Sequence, residues 1–118
     1  MTTKEITING KNYPVVFNMK TMSNFEEIIE KGFFEANLNT TKNRMALIMS
    51  AVLAADNGTE LKIEDMFGQG DWDAYMQITT AYSVVMKLAD EFFPIPKVEK
   101  KNDGQPSEEE TEDEGSKN

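Results

Sequence analysis

The chain contains neither cysteine nor histidine. Without cysteine there can be no disulfide, no thiolate nucleophile and no cysteine-ligated zinc. Without histidine the chain lacks the commonest general base and the commonest metal ligand. Any catalysis would have to rely on carboxylates, lysines, tyrosines or hydroxyl groups alone, so we expect a protein that is not an enzyme.

Long apolar runs are missing too. No stretch approaches the ~18 uninterrupted apolar residues that a membrane span needs, and the start, MTTKEITING, lacks the basic and then apolar segments of a secretory signal. Basic charge is also scarce, because 12 Lys and Arg face 21 Asp and Glu and give a formal net charge of −9. We therefore expect no binding to nucleic acid or to membranes, and an attraction to basic partner surfaces.

The clearest local pattern is the stretch ITINGKNYPVVFNM, which begins at Ile6. The pair Asn9-Gly10 tolerates the positive φ angles of a two-residue type I′ turn, which predicts a hairpin over about residues 4–19 with Ile8 opposite Lys11. A lone hairpin is marginally stable in water, so we expect its apolar face to pack on helices. Alternation assigns five side chains to that face: Ile6, Ile8, Tyr13, Val15 and Phe17.

Apolar residues spaced three and four apart predict three helices after the hairpin, at about residues 24–31, 41–56 and 71–93. Ser23 and Glu26 have the spacing of a capping box at the start of the first helix, and Gly32 is suited to ending it. Thr40 or Thr41 can cap the second helix.

The second and third predicted helices are the most apolar parts of the chain. The stretch RMALIMSAVLAA is apolar nearly all round, so the second helix is either central or faces a partner as well as its own core. Asp71 caps the third helix, and LKIEDMFGQG before it is predicted to form a short helix or turn. One apolar stripe is predicted along the third helix, made of Trp72, Tyr75, Ile78, Tyr82, Val85, Ala89 and Phe92 and widened by Met76, Met86 and Phe93.

These elements predict a mainly α fold with a small N-terminal β-hairpin (α+β), in which three to four helices pack on the hairpin over residues 1–96. Residues 97–118 hold four Lys and eight Asp or Glu but only one sizeable apolar residue, Val98. Such a segment cannot offset an ordering entropy of about 1–2 kcal/mol per residue, so we expect a disordered acidic tail. The tail is either a solubilising tether, or a mimic of nucleic-acid charge or lure for a basic partner.

No cofactor or metal site is predicted. The stretch DNGTELKIEDMF resembles the end of a calcium-binding loop, but placing Glu64 at the last ligand position puts Leu53 and Ala55 where carboxylates are required. The stretch GQGD lacks the Lys and the Ser or Thr of a phosphate-binding loop, and we interpret it as a linker before the cap at Asp71.

Partner binding is the chemistry that remains. Met is flexible and suits surfaces that accept varied sequences, and one ring of each aromatic pair, Phe33-Phe34 and Phe92-Phe93, is a candidate exposed anchor. Core packing is the competing interpretation of the same residues. The candidate partner-binding residues are Phe33, Phe34, Met45, Met49, Val52, Trp72, Tyr75, Met76, Phe92 and Phe93.

With these parts in place, the chain resembles the small tail assembly chaperones of long-tailed bacteriophages over about residues 4–96. The resemblance rests on the start ITINGKNYPVVFNMKTMSNFEE, on the apolar helix RMALIMSAVLAA, and on a long final helix followed by a charged tail. It implies a small helical protein in the cytoplasm of the bacterial host, absent from the mature virion. Such proteins bind the tape-measure protein, and sometimes the tail-tube protein, and keep them soluble until the tube polymerises.

Two other functions fit the same residues. An acidic inhibitor or nucleic-acid mimic would occupy a basic site on a host protein, with strong salt dependence. A structural tail or connector subunit would instead stay in the virus particle. Weak self-association is also left open.

Overall fold

The computed structural model of the chain describes residues 2–94. Two strands come first, β1 (Lys4–Ile8) and β2 (Lys11–Val15). The helices α1 (Met19–Ile29), α2 (Thr41–Ala55) and α3 (Trp72–Phe92) follow, with the 3₁₀ segments η1 (Phe33–Glu35) before α2 and η2 (Ile63–Phe67) before α3. The predicted α+β fold, three helices packed with an N-terminal hairpin, is confirmed. The predicted disordered tail, residues 97–118, lies outside the described residues.

The hairpin forms with the predicted turn and register. β1 and β2 pair in antiparallel fashion, and Ile8 lies opposite Lys11. Asn9 and Gly10 adopt φ angles of 53° and 79°, the left-handed values that a type I′ turn requires. All five side chains predicted for the inner face are buried. β1 packs against α3 and β2 packs against α2, so the hairpin is supported by both long helices.

α1 starts at Met19, earlier than the predicted start near residue 24. The Asn18 side chain accepts a hydrogen bond from the Thr21 N–H, and the Thr21 hydroxyl accepts one from the Asn18 N–H, both at 3.1 Å. The buried Thr21 hydroxyl also donates to the Val16 carbonyl at 2.9 Å, which ties the helix start to the end of β2. The predicted Ser23 cap is therefore wrong, because this reciprocal pair completes the helix one turn earlier.

The helix ends agree in part with the capping and terminating residues predicted from the sequence. Gly32 does not end α1: Glu30 takes the left-handed conformation at φ 61°, and its N–H donates to the Glu26 carbonyl at 2.8 Å. Thr40 caps α2, accepting from the Asn43 N–H at 3.2 Å. Asp71 caps α3 as predicted, accepting from the Ala74 N–H at 3.1 Å. The short helical segment predicted before α3 is confirmed as η2.

α2 is the centre of the fold. Eight consecutive residues, from Met45 to Val52, are buried, and the helix packs against α1, α3, β2 and η2. The buried Ser50 hydroxyl has a partner because it donates to the Ala46 carbonyl one turn back, at 2.7 Å. The sequence left two interpretations of this helix: that it is central, or that it faces a partner as well as its own core. The structure shows that it is central.

The buried face of α3 differs from the predicted stripe. Only Ile78, Val85 and Ala89 are common to both, and the other buried residues are Ala74, Ala81 and Leu88. Trp72, Tyr75 and Phe92, which belong to the predicted stripe, are exposed. The steps of that stripe average about 3.3 residues, fewer than the 3.6 residues of a turn, so the stripe winds around the helix and its N-terminal members leave the buried face. Within residues 2–94, no helix is both long enough and apolar enough to cross a membrane.

Candidate partner-binding site

The N-terminal turn of α3 exposes two aromatic rings. Trp72 keeps 69% of its surface accessible. Its ring stacks on that of Tyr75 with centroids 5.3 Å apart and planes inclined by 28°, because residues three apart are neighbours on a helix. Among the described residues, each of these rings makes its only ring contact with the other. The pair therefore lies on the surface of α3 rather than in the interior.

Two further apolar side chains extend this pair. Phe67, at the end of η2, is 53% exposed, and Met76 is exposed one turn after Trp72. We call Phe67, Trp72, Tyr75 and Met76 the Trp72 surface. Phe67 and Tyr75 line a hollow of about 140 Å³ between η2 and α3. Since a cavity of about 150 Å³ accommodates benzene, this hollow can take one Leu- or Phe-sized side chain.

Two glycines make the close approach of η2 and α3 possible. Gly68 and Gly70 have φ angles of 53° and 70°, and the Gly70 N–H donates to the Phe67 carbonyl at 2.6 Å. A Cβ on Gly68 would lie 3.3 Å from the Asn9 Oδ1 atom. Glycine at this position therefore lets the tip of the hairpin reach the linker beside the Trp72 surface.

The hairpin tip holds η2 and α3 together. The Asn9 N–H donates to the Gln77 Oε1 atom at 2.6 Å, and the Asn9 side-chain amide donates to the Asp65 carbonyl. Asn9 therefore forms hydrogen bonds with both η2 and α3, the two elements that lie on either side of the hollow. The sequence pattern identified Asn9 as a turn residue but missed this second role. The only sequence signal for this second role is that Asn, rather than a second Gly, precedes Gly10, since Asn has a side-chain amide donor that Gly lacks.

The other end of α3 carries a second group of aromatic rings. We call Phe17, Phe33, Phe34, Phe92 and Phe93 the Phe cluster. Buried Phe33 contacts Phe17 and Phe93, with centroid distances of 5.7 Å and 6.0 Å. Phe34 is 78% exposed and Phe92 is partly exposed, so each aromatic pair has one exposed ring. A groove of about 360 Å³ lies beside Phe92.

The ten predicted partner-binding residues fall into three groups. Phe34 and Phe92 are exposed at one end of α3, and Trp72, Tyr75 and Met76 at the other, about 30 Å apart along a helix of this length. Phe93 is half-buried. The remaining four, Phe33, Met45, Met49 and Val52, are core residues that offer no surface to a partner in this structure. Their burial follows from the central position of α2 and of the Phe33 ring.

Two details qualify that grouping. Met45 is buried, yet it lines the hollow between η2 and α3, so it forms part of the floor beneath the Trp72 surface. Phe67 was not among the predicted residues, although the structure places it beside Tyr75. The signal for it was weak, because a single Phe before Gly in LKIEDMFGQG fits a buried turn residue equally well.

Negative charge is concentrated near the Trp72 surface. Residues 2–94 contain thirteen acidic and eight basic residues, a net charge of −5. Residues 64–73 contribute four acidic residues and no basic one, namely Glu64, Asp65, Asp71 and Asp73. The remaining nine acidic and eight basic residues almost cancel. The net charge of the described part is therefore largely that of η2 and the start of α3.

Tyr82 lies halfway along α3, in an environment that differs from those of the Trp72 surface and the Phe cluster. Arg44 lies over its ring at 4.8 Å and donates through Nε to the Leu38 carbonyl at 2.7 Å. Burial raises the pKa of the Tyr82 hydroxyl above its ordinary value, and the charge and hydrogen bond of Arg44 oppose that shift. This contact holds the segment before α2 against α3, which is a structural role.

Within residues 2–94, no three acidic side chains are placed to hold a metal ion. Comparisons of the chain with family models, with curated proteins and with solved structures gave no match.

Proposed function

We propose that this chain is a non-enzymatic tail assembly chaperone of the bacteriophage type. It binds the tape-measure protein in the cytoplasm of the bacterial host and keeps it soluble before the tail tube polymerises. The tail-tube protein is a second client. The Trp72 surface is the observation that carries the proposal. Grouped exposed apolar side chains on a folded chain typically mark an interaction site, and here two of the four are the aromatic types that dominate binding energies.

The size of the surface suits a temporary complex. Four large side chains are far fewer than the roughly 20–30 residues per side of a stable interface. Trp72 and Tyr75 supply rigid anchors, while Met76 can change rotamer to fit different sequences. We therefore expect binding that is reversible, as a chaperone that leaves its client requires.

The test is co-expression with a tape-measure fragment that is insoluble by itself. The native chain is expected to move the fragment into the soluble fraction, and the Trp72→Ser/Tyr75→Ser variant is expected to leave it insoluble. Met19→Ser is the matched control, because Met19 is 77% exposed and lies outside both aromatic groups. Equal rescue by the native chain and the double variant would overturn the proposal.

An acidic inhibitor of a basic host protein is a second candidate, favoured by the acidic run between residues 64 and 73. It predicts that the chain displaces DNA from its target and that this displacement weakens steeply with salt. A chaperone should instead rescue its client without affecting DNA binding. A structural tail subunit would be found in purified virions, where the proposed chaperone is expected to be absent.

A further inference from the structure

We infer that the Trp72 surface selects a basic segment of its client, in which one Leu- or Phe-sized side chain is flanked by Arg or Lys. This inference rests on the proposed function, because it names the part of the client that the surface binds. It follows from three features that meet at the start of α3: an apolar hollow, a stacked aromatic pair and a local excess of carboxylates.

The carboxylates belong to the same two elements as the apolar side chains. Asp71 and Asp73 flank Trp72 in the chain, and Asp71 lines the same hollow as Tyr75. Glu64 and Asp65 belong to η2, which ends at Phe67. All four carboxylate residues are exposed, and no basic residue interrupts the run. A cationic group beside the hollow is therefore attracted, and an anionic one is repelled.

The stacked rings favour the same kind of ligand. A guanidinium group binds over aromatic faces, with Trp preferred. The chain uses this contact internally, where Arg44 lies over the Tyr82 ring. The Trp72–Tyr75 pair offers a similar face to solvent, with acidic residues on either side of Trp72.

An amphipathic helix satisfies both requirements at once. The hollow of about 140 Å³ accepts one apolar side chain. On a helix, a residue three or four positions away lies about 5–6 Å from that side chain, within reach of the rings and of the carboxylates. A helix with Arg one turn from Leu can therefore fill the hollow and neutralise the acidic run together.

A second copy of the chain is a poorer occupant. A two-fold symmetric dimer through this surface would bring the same patch of each copy together. Residues 64–73 of each patch carry four carboxylates and no basic residue. Like charges would then face each other across the interface, which disfavours the pairing.

The chain provides its own probe, because Trp72 is its only tryptophan. The full chain is titrated with a helical peptide of about 20 residues, long enough to hold a helix, that carries Leu and Arg but no aromatic residue. A matched peptide has Glu in place of each Arg. We expect the Arg peptide to shift Trp72 emission to shorter wavelength and to bind at least about tenfold more tightly than the Glu peptide, with affinity falling as salt rises from about 0.05 to 0.5 M.

Two variants locate the effect. Glu64→Gln/Asp73→Asn removes two charges next to the surface and spares Asp65 and Asp71, whose side chains make cap bonds. Glu27→Gln/Asp90→Asn removes two exposed charges elsewhere, so the net charge of the two variants is equal. We expect the first variant to bind the Arg peptide about fivefold more weakly than the native chain. The second variant is expected to bind like the native chain.

Each remaining outcome has a defined meaning. Equal affinity for the Arg and Glu peptides, or equal weakening in both variants, would overturn the inference. So would an emission shift that follows protein concentration alone together with a dimeric mass, because a second copy would then be the occupant. If the Arg peptide binds as expected but the tape-measure fragment is not rescued, the proposed function fails and the ligand preference stands. If the fragment is rescued while both peptides bind alike, only the ligand preference fails.

Discussion

The two ends of α3 both carry aromatic side chains, but the rings are used differently. In the Phe cluster each ring contacts at least two others, and the rings come from three separate parts of the chain: the link after β2, η1 and the end of α3. At the start of α3, Trp72 and Tyr75 belong to one helix and stack through their spacing alone. Contacts between distant parts of the chain stabilise the fold, whereas a pair within one helix remains available to a partner.

The largest expected effect is on the buried centre of the Phe cluster. Phe33→Ala should lower the free energy of unfolding by about 3–5 kcal/mol, because it removes a buried ring that contacts Phe17, Phe25 and Phe93 and leaves a cavity. Urea unfolding followed by circular dichroism measures the loss. Phe34→Ala, next in the chain but 78% exposed, is the control and should cost under about 1 kcal/mol. Similar costs for the two variants would mean that the cluster is not a tertiary core.

The next effect concerns the hairpin tip that supports the other end of α3. Gly10→Val should destabilise the chain by about 1–3 kcal/mol, because a β-branched residue is strained at φ 79°. A Cβ there would meet no atom within 4 Å, so the cost comes from the backbone alone. Thr3→Val, at an exposed position just before β1, is the control and should be close to neutral. An unchanged urea midpoint for Gly10→Val would place the turn elsewhere.

Local backbone chemistry made parts of the fold predictable. The Asn9-Gly10 turn and the Asp71 cap each depend on one or two residues, and both were found from the sequence. The start of α1 was missed because two capping pairs compete within nine residues, 18–26. Ser23 and Glu26 match the usual pattern, but the Asn18–Thr21 pair has a second contact, the bond from the Thr21 hydroxyl to the Val16 carbonyl. That contact exists only once β2 is in place.

The candidate site was only partly predictable, because exposure depends on which face of an apolar helix receives neighbours. Met45 and Trp72 both lie on apolar helical stripes, yet α2 is covered on all sides while α3 is covered on one. Periodicity shows that a helix has an apolar stripe, but it does not show how much of that stripe other elements pack against. Phe67 belongs to the site because two glycines turn η2 back towards α3, a tertiary arrangement that residue types alone do not specify.

A smaller effect, confined to alkaline pH, is expected midway between the two ends. Burial raises the pKa of the Tyr82 hydroxyl above the value of about 10 that it has in the unfolded chain. The unfolded state therefore loses this proton first, and the free energy of unfolding should fall as the pH rises from about 10 towards the folded pKa. Urea titrations at several alkaline pH values measure that fall. Tyr82→Phe should flatten it and Tyr75→Phe should not, whereas equal slopes in both variants would remove Tyr82 as its source.

The smallest change in stability is expected where the largest change in binding is proposed. Trp72→Ser should alter the free energy of unfolding by no more than about 0.5 kcal/mol, since the side chain is 69% exposed and, within residues 2–94, Tyr75 is its only ring contact. Urea unfolding of this variant beside Phe33→Ala makes the contrast between the two ends quantitative. A loss above about 2 kcal/mol would show that Trp72 is held by the fold like a core residue. The exposed ring of Phe34 would then be the better candidate anchor, because a side chain that stabilises its own chain is the less free to bind another.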